Sequence, residues 1–248
     1  NHARNDLDAL ITTVEQRGDY KKNSHHFQWS VKYTNENIRD RVVEWEVIDS
    51  AGFSINPPNL DNFNTEPYAP NSGPLVPFEN IRATNNTTVD RIQVFAQWNK
   101  RSTLGRHEVF YNLGIRAHQW KIRGKGINTN QQMVFSPRGQ FSIKPEGSKD
   151  MLFRLSGGLY YQPPFYRELR GFDGTVNTNV KAQRSLHVVT GHEYSFKLWE
   201  RPFKLISEAY YKKITDVNPY TVENVRIRYA ANNNAKAYAY GLDVRLNG

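Results

Sequence analysis

The chain has 248 residues, a formal net charge of +9 and no cysteine. That length suits one all-β unit, and the missing cysteines exclude a disulfide scaffold. No apolar run approaches the roughly 20 residues of a spanning helix, so helical membrane passage is excluded, while strands that are only half apolar are not.

Side chains alternate between apolar and polar along most of the chain, and a strand points successive side chains to opposite faces. We read about eleven strands from this period-two pattern, over residues 5–17, 25–34, 38–49, 87–99, 106–123, 131–145, 150–161, 181–199, 201–216, 222–230 and 236–247. In 25–34, Phe27, Trp29, Val31 and Tyr33 oppose Gln28, Ser30 and Lys32. In 106–123, Val109, Tyr111, Leu113 and Ile115 oppose Glu108, Asn112 and Arg116. In 150–161, Phe153, Leu155 and Leu159 oppose Arg154 and Ser156. Further on, Leu186, Val188 and Phe196 oppose Glu193, and Leu242 and Val244 oppose Asp243 and Arg245. Phe95 and Ile206 fall on the polar parity, His192 and Lys213 on the apolar one.

Charges at mid-strand do not fit the dry core of a sandwich. A greasy face backed by a charged one fits an antiparallel up-and-down transmembrane β-barrel, all-β, with lipid outside and a wet lumen. On this reading Arg116, Arg154, Glu193, Glu208 and Arg245 face the lumen. Links after even-numbered strands are tight (Asn35–Asn37, Lys100–Gly105, Glu146–Lys149, Glu200–Arg201, Asn232–Asn234), and the long ones, 50–86 and 162–180, follow odd-numbered strands. Short periplasmic turns and long extracellular loops give the orientation. Tyr33, Trp98, Trp199 and Phe203 are then expected at the periplasmic rim, and Trp45, Trp120 and Tyr211 at the outer rim.

The segment Tyr160-Tyr161-Gln162-Pro163-Pro164-Phe165-Tyr166-Arg167-Glu168-Leu169-Arg170 resembles the barrel of TonB-dependent outer-membrane receptors, particularly those of Bacteroidota. The run from Lys181 through Ser185-Leu186-His187, Gly191-His192-Glu193-Tyr194 and Arg201-Pro202-Phe203-Lys204 to Gly241-Leu242-Asp243-Val244 is similar to the same group, as is Glu44-Trp45 with Ile48-Asp49-Ser50-Ala51-Gly52. The resemblance implies a barrel of about 22 strands around an N-terminal plug. Residues 1–248 would be the middle part of that barrel, without plug domain, TonB-contacting segment or C-terminal strands. It implies an outer-membrane location and import of a scarce extracellular ligand with energy from a TonB-type coupling protein. It also implies contact with outer-membrane lipid and with a surface lipoprotein or other complex subunits. A barrel subunit that only scaffolds partners in an outer-membrane complex is the alternative.

No catalytic spacing, phosphate loop, metal-ligand set or cofactor motif appears, and the chain reads as no enzyme. His25 and His26 point to opposite faces and do not share an ion. Asp61, Asp90, Glu108 and Glu193 read as lumen or loop charge. The positive charge reads as a wet lumen and solvated loops, or as attraction to an anionic partner such as lipopolysaccharide; the dispersed cations speak against nucleic acid. Gly157-Gly158 marks a bend or a close backbone approach. Asp49-Ser50-Ala51 matches an O-glycosylation pattern at Ser50. The loop 162–180 supplies the candidate ligand contacts Phe165, Tyr166, Arg167 and Arg170, rings beside charges, with packing at the mouth as the other reading.

Overall fold

The computed structural model describes residues 2–46, 78–147, 149–223 and 226–248. Ten strands form one antiparallel sheet: β1 (His2–Ala3), β2 (Asp6–Lys22), β3 (His25–Glu46), β4 (Phe78–Leu104), β5 (His107–Gly124), β6 (Ile127–Lys144), β7 (Asp150–Gln162), β8 (Gln183–Leu198), β9 (Arg201–Val217) and β12 (Ala235–Asn247). Each long strand pairs with the next along the chain, apart from a short separate hairpin, β10 (Tyr220–Glu223) with β11 (Arg226–Tyr229), which leaves β9 beside β12. Among the described residues the helical element is the single turn α1 (Tyr166–Leu169). β2 does not pair with β12, so among the described residues the sheet is open at both edges. The period-two reading of an antiparallel sheet holds.

Two strand assignments change. The expected strands 25–34 and 38–49 are one strand, β3, paired with β4 without a break from His25↔Lys100 to Glu44↔Ile81. Asn35 and Asn37 looked like a turn because asparagine favours turns. Here their amides work across and along the sheet instead: Asn35 donates to Asp90 (2.7 Å), and Asn37 donates to Asn35 and accepts from Thr88 (both 3.0 Å). The turn lies at Asn23–Ser24, where Asn23 takes φ 54°, a left-handed value that asparagine tolerates. The expected strand 222–230 is the β10–β11 hairpin, outside the sheet. Its alternation is real, since Tyr220 and Val222 share a face with Tyr229 and Ile227, but a four-residue arm cannot span a bilayer. The Asn232–Asn234 run therefore sits at the loop end.

With these changes the connections at 23–24, 105–106, 145–147 and 199–200 all lie at one end of the sheet. Residues 163–182, 218–223 and 226–234 lie at the other, with the tight Lys125–Gly126 turn.

One face carries a continuous apolar band. In β3 it holds Phe27, Trp29, Val31 and Tyr33, paired with Trp98, Ala96, Val94 and Ile92 of β4. In β5 it holds Leu113 and Ile115, in β8 Leu186 and Val188, and in β12 Leu242 and Val244, all exposed. Its limits move against the register. Trp98, at the turn-end limit in β4, is linked through Leu113, Gly139, Gly157 and Val188 to Tyr211, at the loop-end limit in β9. The band slides by its own height, Ile92 to Trp98, over the five steps from β4 to β9. A level band then requires strands leaning by roughly 35–40°, taking about 3.3 Å per residue and 4.8 Å between strands.

The opposite face is polar, and its dry region lies at the loop end. Ile38, Val89, Trp120 and Ile122 of the sheet are buried there under Tyr166, Leu169, Val176, Val180 and Ala182, with Ala231 from the second loop. Trp120 is thus a core residue, 1% exposed, and not a rim aromatic; its parity with Arg116 puts it on the polar face. Tyr33 lies at the loop-end limit of the band, because β3 continues past it, and its hydroxyl donates to Asp90 (2.8 Å). Trp98 lies at the turn end and donates to His25 (3.0 Å), while Trp199 sits on the 199–200 turn, 82% exposed. The Trp45 side chain, Asp61 and the Asp49-Ser50-Ala51 site lie outside the described residues.

Candidate functional site

The register puts Arg116, Arg154, Glu193, Glu208 and Arg245 on the polar face. Arg116 lies over the Phe95 ring, its guanidinium carbon 5.8 Å from the centroid, which accounts for a ring on this parity. Glu193 is held between Arg154 and Lys204. Glu208 stands opposite Asp243, and Arg245 donates to Asn247 (2.9 Å). Toward the turn end, His26, Asn99, Asn112, Gln140, Ser142 and Arg154 line an open hollow of about 560 Å³. Gly158 marks a close approach, of its neighbour strand: a Cβ there would meet the Arg138 Cβ at 2.8 Å.

At the loop end the polar face of β3 presents Glu36, Asp40 and Glu44, four residues apart. Each holds a different partner. Glu36 pairs with Arg91 (2.8 Å), which also donates to the Pro164 carbonyl (2.7 Å). Asp40, 2% exposed, accepts from the Tyr166 hydroxyl (2.7 Å) and pairs with Arg170 (2.8 Å). Glu44 accepts from Asn5 (2.7 Å) and pairs with Arg226 (3.1 Å) and Arg228 of the hairpin.

The 163–182 loop is fixed to the sheet along its length. Asn85 donates to the Gly174 carbonyl and Asn130 to that of Thr178 (both 2.8 Å), and Gln132 to that of Val180 (3.0 Å). Gly174 has φ 82° and lies where a Cβ would meet the Ala83 Cβ at 2.9 Å, so both conformation and space require glycine. The second loop is tied to the first: Asn218 donates to the Glu168 carbonyl (2.7 Å) and Asn177 to that of Ala231 (2.8 Å). The Glu168 carboxylate caps α1 by accepting from the Phe165 amide (3.1 Å), and it accepts from Gln183 (2.9 Å). Burial pushes the Glu168 carboxyl above its ordinary value. Burial, then the bond to Asp40, raises the Tyr166 phenol.

The four candidate contact residues are therefore split. Tyr166 and Arg170 are anchored to Asp40. Phe165 and Arg167 are exposed, and Phe165 meets Tyr229 edge-on (5.7 Å). Beside them Tyr220 and Ile227 of the hairpin are also exposed. The sequence reading missed the hairpin and the three carboxylates; acids at every fourth position on the polar parity of a strand were the available signal. Among the described residues no group of three or more His, Cys, Asp or Glu side chains could hold a metal ion.

No family model matches the chain, and no curated protein does. Among solved structures it is similar to the copper transporter OprC, at 10% identity and a TM-score of 0.59, covering 98% of this chain and 36% of that one. It is also similar to BauA, the ferric preacinetobactin receptor from Acinetobacter baumannii, at 14% identity and a TM-score of 0.51, covering 98% and 34%. The likeness is one of fold. This chain spans about a third of each of those proteins, and it shares with them an antiparallel sheet of the β-barrel kind.

Proposed function

We propose that the chain is part of the transmembrane barrel of an outer-membrane receptor that binds a scarce extracellular ligand and imports it with TonB-supplied energy. The carrying observation is the apolar band, which stays level only if the strands lean by roughly 35–40°, close to the tilt of membrane barrels. The likeness to a copper transporter and a ferric preacinetobactin receptor supports transport as the broad class, and the two named cargoes differ. In this reading the polar face lines the lumen around a plug, and the loop end is extracellular. Phe165 and Arg167 meet the ligand, while Tyr166 and Arg170 hold them in place. A TonB-type coupling protein, a surface lipoprotein and outer-membrane lipid are the partners.

The test combines two measurements on the protein in its native membrane. Nitroxide labels at Leu113, Val188 and Leu242 should report hydrocarbon, and labels at Arg116 and Glu193 water. Uptake that depends on this protein should stop when the proton gradient feeding TonB is collapsed. Water at both sets of labels would sink the barrel. A membrane-embedded protein whose loss changes no uptake, but releases partner subunits from the membrane, would leave the scaffold role instead.

A further inference from the structure

Toward the loop end the ladder between β6 and β7 stops early. β6 stays paired with β5 through Ile122↔Asn130 to Gly124↔Ile127, and β7 with β8 to Gln162↔Gln183. With each other, β6 and β7 pair only from Ile143↔Phe153 to Arg138↔Gly158. Pro137 is the cause. The close approach at Gly158 marks a pair without mutual hydrogen bonds. The next position, Pro137 opposite Leu159, is then one that needs an N–H, and proline has none. Two residues on, the Tyr161 amide donates to the Ser136 hydroxyl (3.1 Å), where the continued register offers the Phe135 carbonyl. After Gln162 the chain turns inward at Pro163-Pro164, and it comes back beside β6 at 178–182 before entering β8.

Beyond Gln162 the place of one strand, between β6 and the 178–182 segment, is left open. Side chains close its inner side, the amides of Asn130 and Gln132 on the Thr178 and Val180 carbonyls. Its edge is β6 itself. On the same alternation as Pro137, Thr129, Gln131 and Met133 aim their N–H and C=O groups away from β5. Among the described residues no strand or loop backbone pairs with those groups. Residues 127–135 carry no charge and no proline, two devices that keep natural edges from pairing. Lys125 at the tip, Lys181 alongside and Arg184 below are exposed, and among the described residues none of the three pairs with an acid. A second copy of this chain would set the same cations against these, and its own β6, already bonded to β5, does not fit the place of one strand.

We propose that this place takes one extended, acidic segment of a partner protein, added to β6 as a strand. Strand addition draws its affinity from main-chain hydrogen bonds and its selectivity from the side chains around them. The main-chain groups of Thr129, Gln131 and Met133, spread over about 14 Å, supply the first. Lys125, Lys181 and Arg184 supply the second by meeting the acidic side chains. In the barrel reading above, the partner stands outside the cell.

The test uses the complete protein in detergent, with binding of short labelled peptides followed by fluorescence anisotropy. The probes are a peptide alternating valine and glutamate, the same peptide N-methylated along its backbone, and one with lysine in place of glutamate. Gln131→Pro removes an N–H at the edge and leaves the β5 ladder, which does not use it. Both N-methylation and Gln131→Pro should weaken binding of the glutamate peptide by about tenfold or more, each main-chain hydrogen bond being worth severalfold. Lys125→Gln with Lys181→Gln should weaken it severalfold at low salt, and added salt should shrink that difference. Lys22→Gln with Lys149→Gln, at the turn end, should leave it unchanged. Amide exchange at Thr129, Gln131 and Met133 should slow when the peptide binds. The proposal is overturned if the glutamate peptide does not bind, if the N-methylated or lysine peptide binds as well, if a folded Gln131→Pro protein binds it as the wild type does, or if those amides exchange at an unchanged rate. Where Gln131→Pro fails to assemble, the N-methylated peptide on the wild type decides. A wild-type dimer that Gln131→Pro makes monomeric, with no peptide bound by either, would give the edge to a second copy and overturn the proposal too. Water at labels on Leu113 and Val188 would sink the barrel and leave the peptide result standing.

Discussion

Asp40 is the residue on which most converges. A carboxylate 2% exposed has two donors from one loop, a phenol and a guanidinium. Removing it strands both donors under the loop, so Asp40→Ala should weaken the closed loop by about 2–4 kcal/mol, less than a fully dry pair because Arg170 is partly solvated. The check is trypsin cleavage after Arg167 and Arg170, expected to be much faster in the variant with the sheet intact. Unchanged cleavage would mean that the apolar contacts of Leu169, Val176 and Val180 hold the loop alone. Glu168 adds a pH dependence. Burial raises its carboxyl above the ordinary 4.5. Between 4.5 and that raised value the closed loop binds more protons than the open one, so its stability is greatest below 4.5 and declines as pH rises through the raised value. Amide exchange across 163–182 should be slower at the acid side of this interval. Glu168→Gln should abolish that part of the pH response; its persistence would assign the effect to another group.

At the scale of elements, the two faces of a strand should differ in tolerance. Leu113→Arg puts a charge into the apolar band and should cost roughly 2–4 kcal/mol, whereas Asn112→Arg, one position away on the polar face, should cost far less. Denaturant unfolding in lipid vesicles measures both, and equal costs would reject the face assignment. The face assignment was legible in the sequence because side-chain alternation is local, and every strand reports its own parity. Pairing was not legible. Asn35 and Asn37 read as a turn in isolation and became ladder residues because Asp90 and Thr88 of β4 accept and donate across to them. The 222–230 segment alternated correctly yet folded back on itself, since alternation carries no information on length of pairing. Phe165, Tyr166, Arg167 and Arg170 were found by composition, but which of them would be spent on anchoring depended on Asp40, more than a hundred residues away.

For the whole molecule, the open sheet is the main constraint. Among the described residues β2 and β12 each present a row of unpaired backbone groups, and in hydrocarbon each such group costs several kcal/mol. Residues 1–248 expressed alone should therefore fail to give the compact, heat-modifiable form of a closed barrel on a gel, and should aggregate through their edges or be degraded. A heat-modifiable monomer would show that β2 and β12 can meet and that the sheet needs no further strands.

The spacing of Glu36, Asp40 and Glu44 makes β3 unusually intolerant of changes in length. All three acids lie on the chain side of Tyr33 away from the turn, and each fastens a different piece of the mouth. Deleting one residue between Tyr33 and Glu36 would rotate the rest of the strand by half a period, sending all three acids outward and bringing Asn37 to the place of Glu36 and Arg41 to that of Asp40. Arg170 would then face a like charge, and Arg91, Arg226 and Arg228 would each lose the acid they now meet. The same deletion in an exposed loop tip would shift nothing beyond itself. Related chains should accordingly vary freely in loop length while keeping this stretch in frame, and a frame slip in β3 would unfasten both loops in a single event.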